Sequence, residues 1–135
     1  MWMQAVLSRI IRPLFQVFAA AVIFNDKGHI LLVKTTYNRI HPWGVPGGSL
    51  EYGEAPEDAV VREVWEETSL RVKIERFLFV KTWTPDRVGM YYICHIEDGE
   101  FKPSDEVSEI GYFPLDDLPD VCPLDLVLIE QIYDE

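Results

Sequence analysis

The chain has 135 residues, 48% of them hydrophobic and 13% aromatic, a composition that suits one globular domain and excludes intrinsic disorder. Acids outnumber bases 23 to 12, for a formal charge of −11. That balance excludes a non-specific nucleic-acid coat protein, which needs a basic surface, but admits a polyanionic small molecule if a cation mediates.

In residues 1–14, Arg9 and Arg12 interrupt the apolar side chains, which is not the order of a signal peptide. The reading here is a short amphipathic helical extension ended near Pro13, packed on its own domain or on a second subunit. The apolar run Leu14 to Phe24 is too short to cross a bilayer as a helix. No membrane partner and a cytoplasmic location are therefore expected. Phe15 to Phe24 reads as a buried strand, Asn25-Asp26-Lys27-Gly28 as a turn and His29 to Lys34 as a second strand, together a hairpin. Thr35 to His41 is a polar loop, followed by dense punctuation from Pro42 to Gly48. Pro56 to Thr68 is a helix, with Pro56 in the first turn and Glu57 and Asp58 at the positive end of its dipole.

Strands are expected over Arg71 to Trp83 and Gly89 to Glu97, joined by the turn Thr84 to Arg87. An acidic loop, Asp98 to Val107, precedes a strand over Glu109 to Phe113. Cys122 to Tyr133 is helical, with Leu124, Val127, Leu128 and Ile132 spaced for one face. The class is α/β with a mixed sheet. Cys94 and Cys122 stand in no CxxC or CxxH spacing and read as small hydrophobes, and His29, His41 and His95 show no metal-ligand spacing.

The chemistry concentrates between Gly47 and Leu70. At 100° per residue, Glu63, Glu66 and Glu67 fall within about 100° of one another, while Val60, Val61 and Val64 form a separate apolar stripe. Three carboxylates on one face repel by a few tenths of a kcal/mol per pair, roughly. A hard divalent cation turns that repulsion into binding, since it takes oxygen ligands and bridges carboxylates to phosphates. Gly47 and Gly48 permit close backbone approach beside that face. The competing reading is a solvated acidic face with Arg62 as ion-pair partner.

Gly48, Glu54 after five intervening residues, and, seven further on, Arg62-Glu63-Val64-Trp65-Glu66-Glu67-Thr68-Ser69-Leu70 resemble the Nudix box, G-x5-E-x7-R-E-U-x-E-E-x-G-U. Ser69 alone departs, standing where the family has glycine. The flanks Trp43 to Gly48 and Phe113 to Pro119 also look like the family's surroundings, and the resemblance runs from about Val17 to Pro119. It implies a Nudix-like α/β/α sandwich and a hydrolase using Mg²⁺ or Mn²⁺ that cleaves a nucleoside diphosphate linked to another moiety. By position, Glu63, Glu66, Glu67 and the Gly47 carbonyl would surround the metal, and Arg62, Glu63 and Glu67 would be the catalytic set. Gly48 and Glu54 would support the box, with Arg62 orienting the glutamates.

The proton acceptor stays open between Glu63, Glu67 and a later loop glutamate, for which Glu106 is the best candidate because it precedes the last strand. The box glycine caps the helix in a left-handed conformation. Serine there costs on the order of 1 kcal/mol, and since Ser69 touches no proposed ligand the chemistry should survive.

Substrate identity is less legible. Trp43, Tyr37, Trp83 and Tyr91 are candidate stacking faces, and Arg39 is a candidate phosphate contact. Pro85, fifteen residues beyond Leu70, resembles a marker of the ADP-ribose-cleaving subgroup but also fits an ordinary turn. The candidate substrates are nucleoside triphosphates, oxidised ones included, or ADP-ribose-like compounds, with other nucleotide-linked compounds and capped RNA as further alternatives. The alternative is a non-catalytic Nudix-fold module that senses a nucleotide. A homodimer is compatible with the resemblance.

Overall fold

A computed structural model describes Met3 and residues 12–134. The elements are β1 (Gln16–Ile23), β2 (Ile30–Thr35), β3 (Trp43–Gly44), β4 (Gly47–Ser49), α1 (Pro56–Thr68), β5 (Leu70–Thr84), β6 (Arg87–Gly99), β7 (Val107–Phe113) and α2 (Pro123–Tyr133). Most of the expected N-terminal helix lies outside the described residues. Arg12 to Phe15 belong to no regular element. Among the described residues no helix is long and apolar enough to cross a membrane.

One sheet runs β4-β1-β6-β5 and the other β3-β2-β7. β1 is parallel to β6 and antiparallel to β4, so the larger sheet is mixed. β1 is buried on both faces, which explains its near-continuous apolar run. Ala19, Ala21 and Ile23 face a cluster with Ala59, Val60 and Val64 of α1. The alternate residues Ala20 and Val22 face clusters that hold Leu128 and Ile129 of α2. The period of two along one strand thus supplies both cores, with a helix on either side. The α/β/α expectation holds.

Three local expectations need correction. β1 and β2 do not form a hairpin: β1 has β4 and β6 on its two edges, and β2 belongs to the other sheet. Only the bridge Phe24 to Ile30 joins them, beyond a turn in which Asn25 Oδ1 accepts from the backbone N–H of Lys27 and His29. On α1, Val61 is exposed while Ala59, Val60, Val64 and Thr68 point inward. On α2, Leu124 and Val127 are 39% and 45% exposed, and the inner row is Asp125, Leu128, Ile129 and Ile132. Asp125 takes the inward position at helical spacing from Leu128 and Ile129, which a purely apolar count misses.

Ser69 adopts the left-handed conformation expected of the box glycine, with φ 62° and ψ 21°, and its N–H donates to Trp65 O at 2.9 Å. The helix therefore ends where the glycine would end it.

Candidate active site

The last two turns of α1 face β4 and the loop 100–106. Arg62 organises this face. Its Nε and Nη2 grip Glu54 bidentately at 2.7 and 2.9 Å, and Nη2 also donates to Ser49 O at 3.1 Å. Its Nη1 donates to Glu63 Oε1 at 2.9 Å and Glu66 Oε2 at 3.2 Å. These five bonds match the five N–H donors of a guanidinium. Glu54 also caps the loop by accepting from Glu51 N. The Arg62 hydrogen bonds hold its carboxyl down at about 2, so it stays ionised through the neutral range.

Replacing Arg62 by Lys leaves a point charge with no fork. Glu54 and Glu63 then lose their common anchor, and metal affinity is expected to fall about 10- to 100-fold, as when other supporting partners of metal ligands are removed. Metal titration of the variant by calorimetry checks this.

Glu67 is only 6% exposed, and its Oε1 accepts from Gly47 N at 3.1 Å. Burial, then the charge of Glu63, pushes its carboxyl up to about 8, against the opposing Gly47 hydrogen bond. Glu63 is also raised by burial, with Arg62 opposing. Gly48 lies so close to Glu63 that a Cβ there would overlap the carboxylate. At Gly47 a Cβ would overlap Ala19 O and Ala20 Cα, backbone on the paired strand.

The loop completes the arrangement. Glu106, Asp105 and Ser104 line, with Glu63, Glu66 and Glu67, an acidic cavity of about 260 Å³. The loop is tied to the segment after β2 by two bonds: Thr36 N donates to Glu106 O at 2.9 Å, and Thr36 Oγ1 to Asp105 O at 2.6 Å. Thr36 carries no sequence signal of its own. Its substitution by Val, which deletes the hydroxyl bond and keeps the shape, is expected to lower kcat about tenfold with KM little changed, and Ser should restore it. Steady-state kinetics of the pair checks this; the magnitude is about one charge-independent hydrogen bond.

Among the described residues no three Asp, Glu, His or Cys side chains converge as a ready-made metal cage. Arg62 holds Glu63 and Glu66, and Gly47 holds Glu67. The donor set nevertheless fits a hard divalent cation: it is all oxygen, and the raised Glu67 carboxyl marks a buried site short of positive charge.

A second cleft, of about 290 Å³, shares Gly47 and Gly48 with this region and is walled by Phe18, Tyr37, Trp83, Arg87, Tyr91 and Asp125. Trp83 Nε1 donates to Tyr91 Oη at 2.6 Å. Of the stacking candidates, Tyr37, Trp83 and Tyr91 line this cleft. Trp43 instead packs edge-on against Phe113, with centroids 4.9 Å apart, and lines only a smaller neighbouring cavity. Arg39 is exposed on its loop and lines neither cleft. Asp125 and Arg87 line the cleft without belonging to the sequence candidates. The inward helical spacing of Asp125 was the available signal; Arg87, at the end of a turn, offered none.

Residues 14–131 match the NUDIX domain. The chain is 34% identical to a MutT-like protein of Streptomyces ambofaciens over 78% of its length and 68% of the relative's. It is 36% identical to the ADP-ribose pyrophosphatase of Methanocaldococcus jannaschii over 72% of its length and 61% of the relative's. It also matches longer NAD-capped RNA hydrolases, of which it spans less than half. The fold superposes on the crystal structure of a MutT NUDIX hydrolase from Burkholderia pseudomallei with a TM-score of 0.76 at 31% identity, covering 87% of this chain and 97% of that one. With the box helix, its arginine clamp and the glycine strand in place, the chain belongs to the Nudix hydrolase family.

Proposed function

We propose that the chain, acting as one domain, hydrolyses a pyrophosphate bond in a nucleoside diphosphate linked to another moiety, a nucleoside triphosphate or an ADP-ribose-like compound. The carrying observation is that Glu63, Glu66, Glu67 and Glu106 line one cavity beside the Gly47-Gly48 strand. Glu63, Glu66, Glu67 and the Gly47 carbonyl would hold Mg²⁺ or Mn²⁺. A bound divalent cation supplies neutralisation of phosphate charge and acidifies a water.

The chain's own groups do the rest. Arg62 holds Glu54, Glu63 and Glu66 in register through four of its five bonds. A glutamate of the cavity, Glu63, Glu67 or the loop carboxylate Glu106, accepts the proton of the attacking water. Gly48 leaves room for Glu63. Names of the relatives, a pyrophosphatase among them, support this reading. A homodimer rests on the family resemblance.

Release of phosphate and pyrophosphate from a nucleotide panel with Mg²⁺ or Mn²⁺, with Glu67→Gln as control, tests it. Turnover lost in the control supports the enzyme. A folded protein that turns over no nucleotide with either metal favours the sensing module instead.

A further inference from the structure

Where the chain enters β1, an apolar surface is left without cover by the described residues. Val17 and Leu50 form the floor of an open groove of about 530 Å³, joined by the bond from Leu50 N to Val17 O at 3.0 Å. Its walls are Phe15, 53% exposed, and Tyr52, fully exposed. Leu14, one residue ahead, is exposed too. Glu51 stands on the rim with most of its side chain in solvent. A contiguous exposed apolar patch with a polar rim marks an interaction surface.

The chain itself carries a segment suited to this groove. Residues 1–11 precede it directly, through Arg12 to Phe15, which belong to no regular element. At 100° per residue, Met3, Val6, Leu7 and Ile10 fall within about 100° of one another, and Ser8 and Arg12 lie opposite. Met3, the one described residue of the segment, is helical and exposed, so this stripe also has apolar surface without a cover. The segment holds no acid, whereas the whole chain has a formal charge of −11. Arg9 borders the stripe, about 60° beyond Val6, on a side where it can meet Glu51. Pro13 cannot continue a helix and lets the chain turn back. The short tether holds the stripe at high effective concentration over the groove, which favours the same chain over a second copy.

We propose that residues 1–11 dock as an amphipathic helix on the groove of their own chain, Met3, Val6, Leu7 and Ile10 against Phe15, Val17, Leu50 and Tyr52, with Arg9 paired to Glu51. The covered loop is the one that presents Glu54 to Arg62: Glu54 N donates to Glu51 O at 3.1 Å, and Glu54 Oε1 accepts from Glu51 N at 3.1 Å. The docked segment braces the arginine clamp from outside. Docking does not depend on hydrolysis, and its failure leaves the pyrophosphohydrolase reading intact.

The test uses the full chain with Leu7→Asp, with Ser8→Ala on the opposite face, with Tyr52→Ser, and with Leu7→Asp and Tyr52→Ser together. Backbone amide spectra read the contact, chemical denaturation its strength, and light scattering the oligomeric state. Leu7→Asp is expected to move the amide signals of residues 14–17 and 50–53 and to lower the folding equilibrium constant about tenfold or more, the loss of one buried leucine. Ser8→Ala should do neither. Tyr52→Ser, at an exposed position, should reciprocally move the signals of residues 3–10. In the Tyr52→Ser background, Leu7→Asp should cost several-fold less, because the two side chains share one contact. All variants should keep the oligomeric state of the wild type.

Groove signals unmoved by Leu7→Asp, or an equal cost of Leu7→Asp with and without Tyr52, overturns the proposal. A change of oligomeric state with Leu7→Asp overturns it as well, and assigns the groove to a second copy.

Discussion

Replacing Glu67 by Gln is expected to reduce turnover by on the order of 10³-fold, within the range that a positioned carboxylate contributes, while making the metal-free protein more stable. The two effects have one cause. Glu67 is nearly buried, and burial together with Glu63 raises its carboxyl to about 8, well above its ordinary value of 4.5. A carboxyl whose folded-state pKa is raised favours folding most when protonated. Its contribution is fully present below about pH 4.5 and is lost progressively as pH climbs to about 8.

Discounted for partial solvent access, the loss is on the order of 3 kcal/mol. Gln keeps the acceptor for Gly47 N–H and never ionises, so thermal melts at pH 8 should show the variant above the wild type. At pH 5 the two should converge. Mg²⁺ should reverse the order at pH 8, because binding to the native wild-type site stabilises it by mass action and the variant lacks a charged ligand. A variant that is both less stable and still active would remove Glu67 from the site. A carboxylate kept at the expense of stability is what a functional position looks like.

The legibility of the site was uneven, for physical reasons. Arg62, Glu63, Glu66 and Glu67 were readable because helical spacing converts sequence intervals into one face, and α1 begins and ends where its Pro56 and the left-handed Ser69 place it. The same reasoning overstated exposure: Glu67 belongs to the acidic set by spacing but is buried, because the Gly47-Gly48 strand lies over it. Glu106 was reachable only as a guess from its place before β7, since a loop has no period. The hairpin expectation failed because local turn chemistry between β1 and β2 is silent about which sheet each strand joins. Asp125 was hidden in an apolar-looking helix, and Arg87 in a turn. Polar groups that a fold turns inward break the apolar pattern that sequence reading relies on.

Alanine at the adjacent positions 47 and 48 should separate chemistry from folding. At Gly48 the added Cβ would collide with the Glu63 carboxylate, the far end of a flexible side chain. Glu63 can swing away, so the fold is expected to persist with a loss of about 1 kcal/mol, the scale of a modest rearrangement. The displaced carboxylate, however, leaves both Arg62 Nη1 and the cavity it shares with Glu66 and Glu67. A misplacement of about 1 Å at reacting groups lowers turnover on the order of 10²-fold, and that loss is predicted for Gly48→Ala.

At Gly47 the Cβ would instead strike Ala19 O and Ala20 Cα, and backbone in the buried stretch of β1 has no such freedom. Gly47→Ala is predicted to lose about 3 kcal/mol or more, the scale of a core clash at its upper end. Chemical denaturation with parallel kinetics distinguishes the two. If Gly48→Ala turns over normally, Glu63 is not held where the chemistry needs it. If Gly47→Ala folds as well as the wild type, β4 does not press on β1 as the pairing of Gly47 with Ala20 requires.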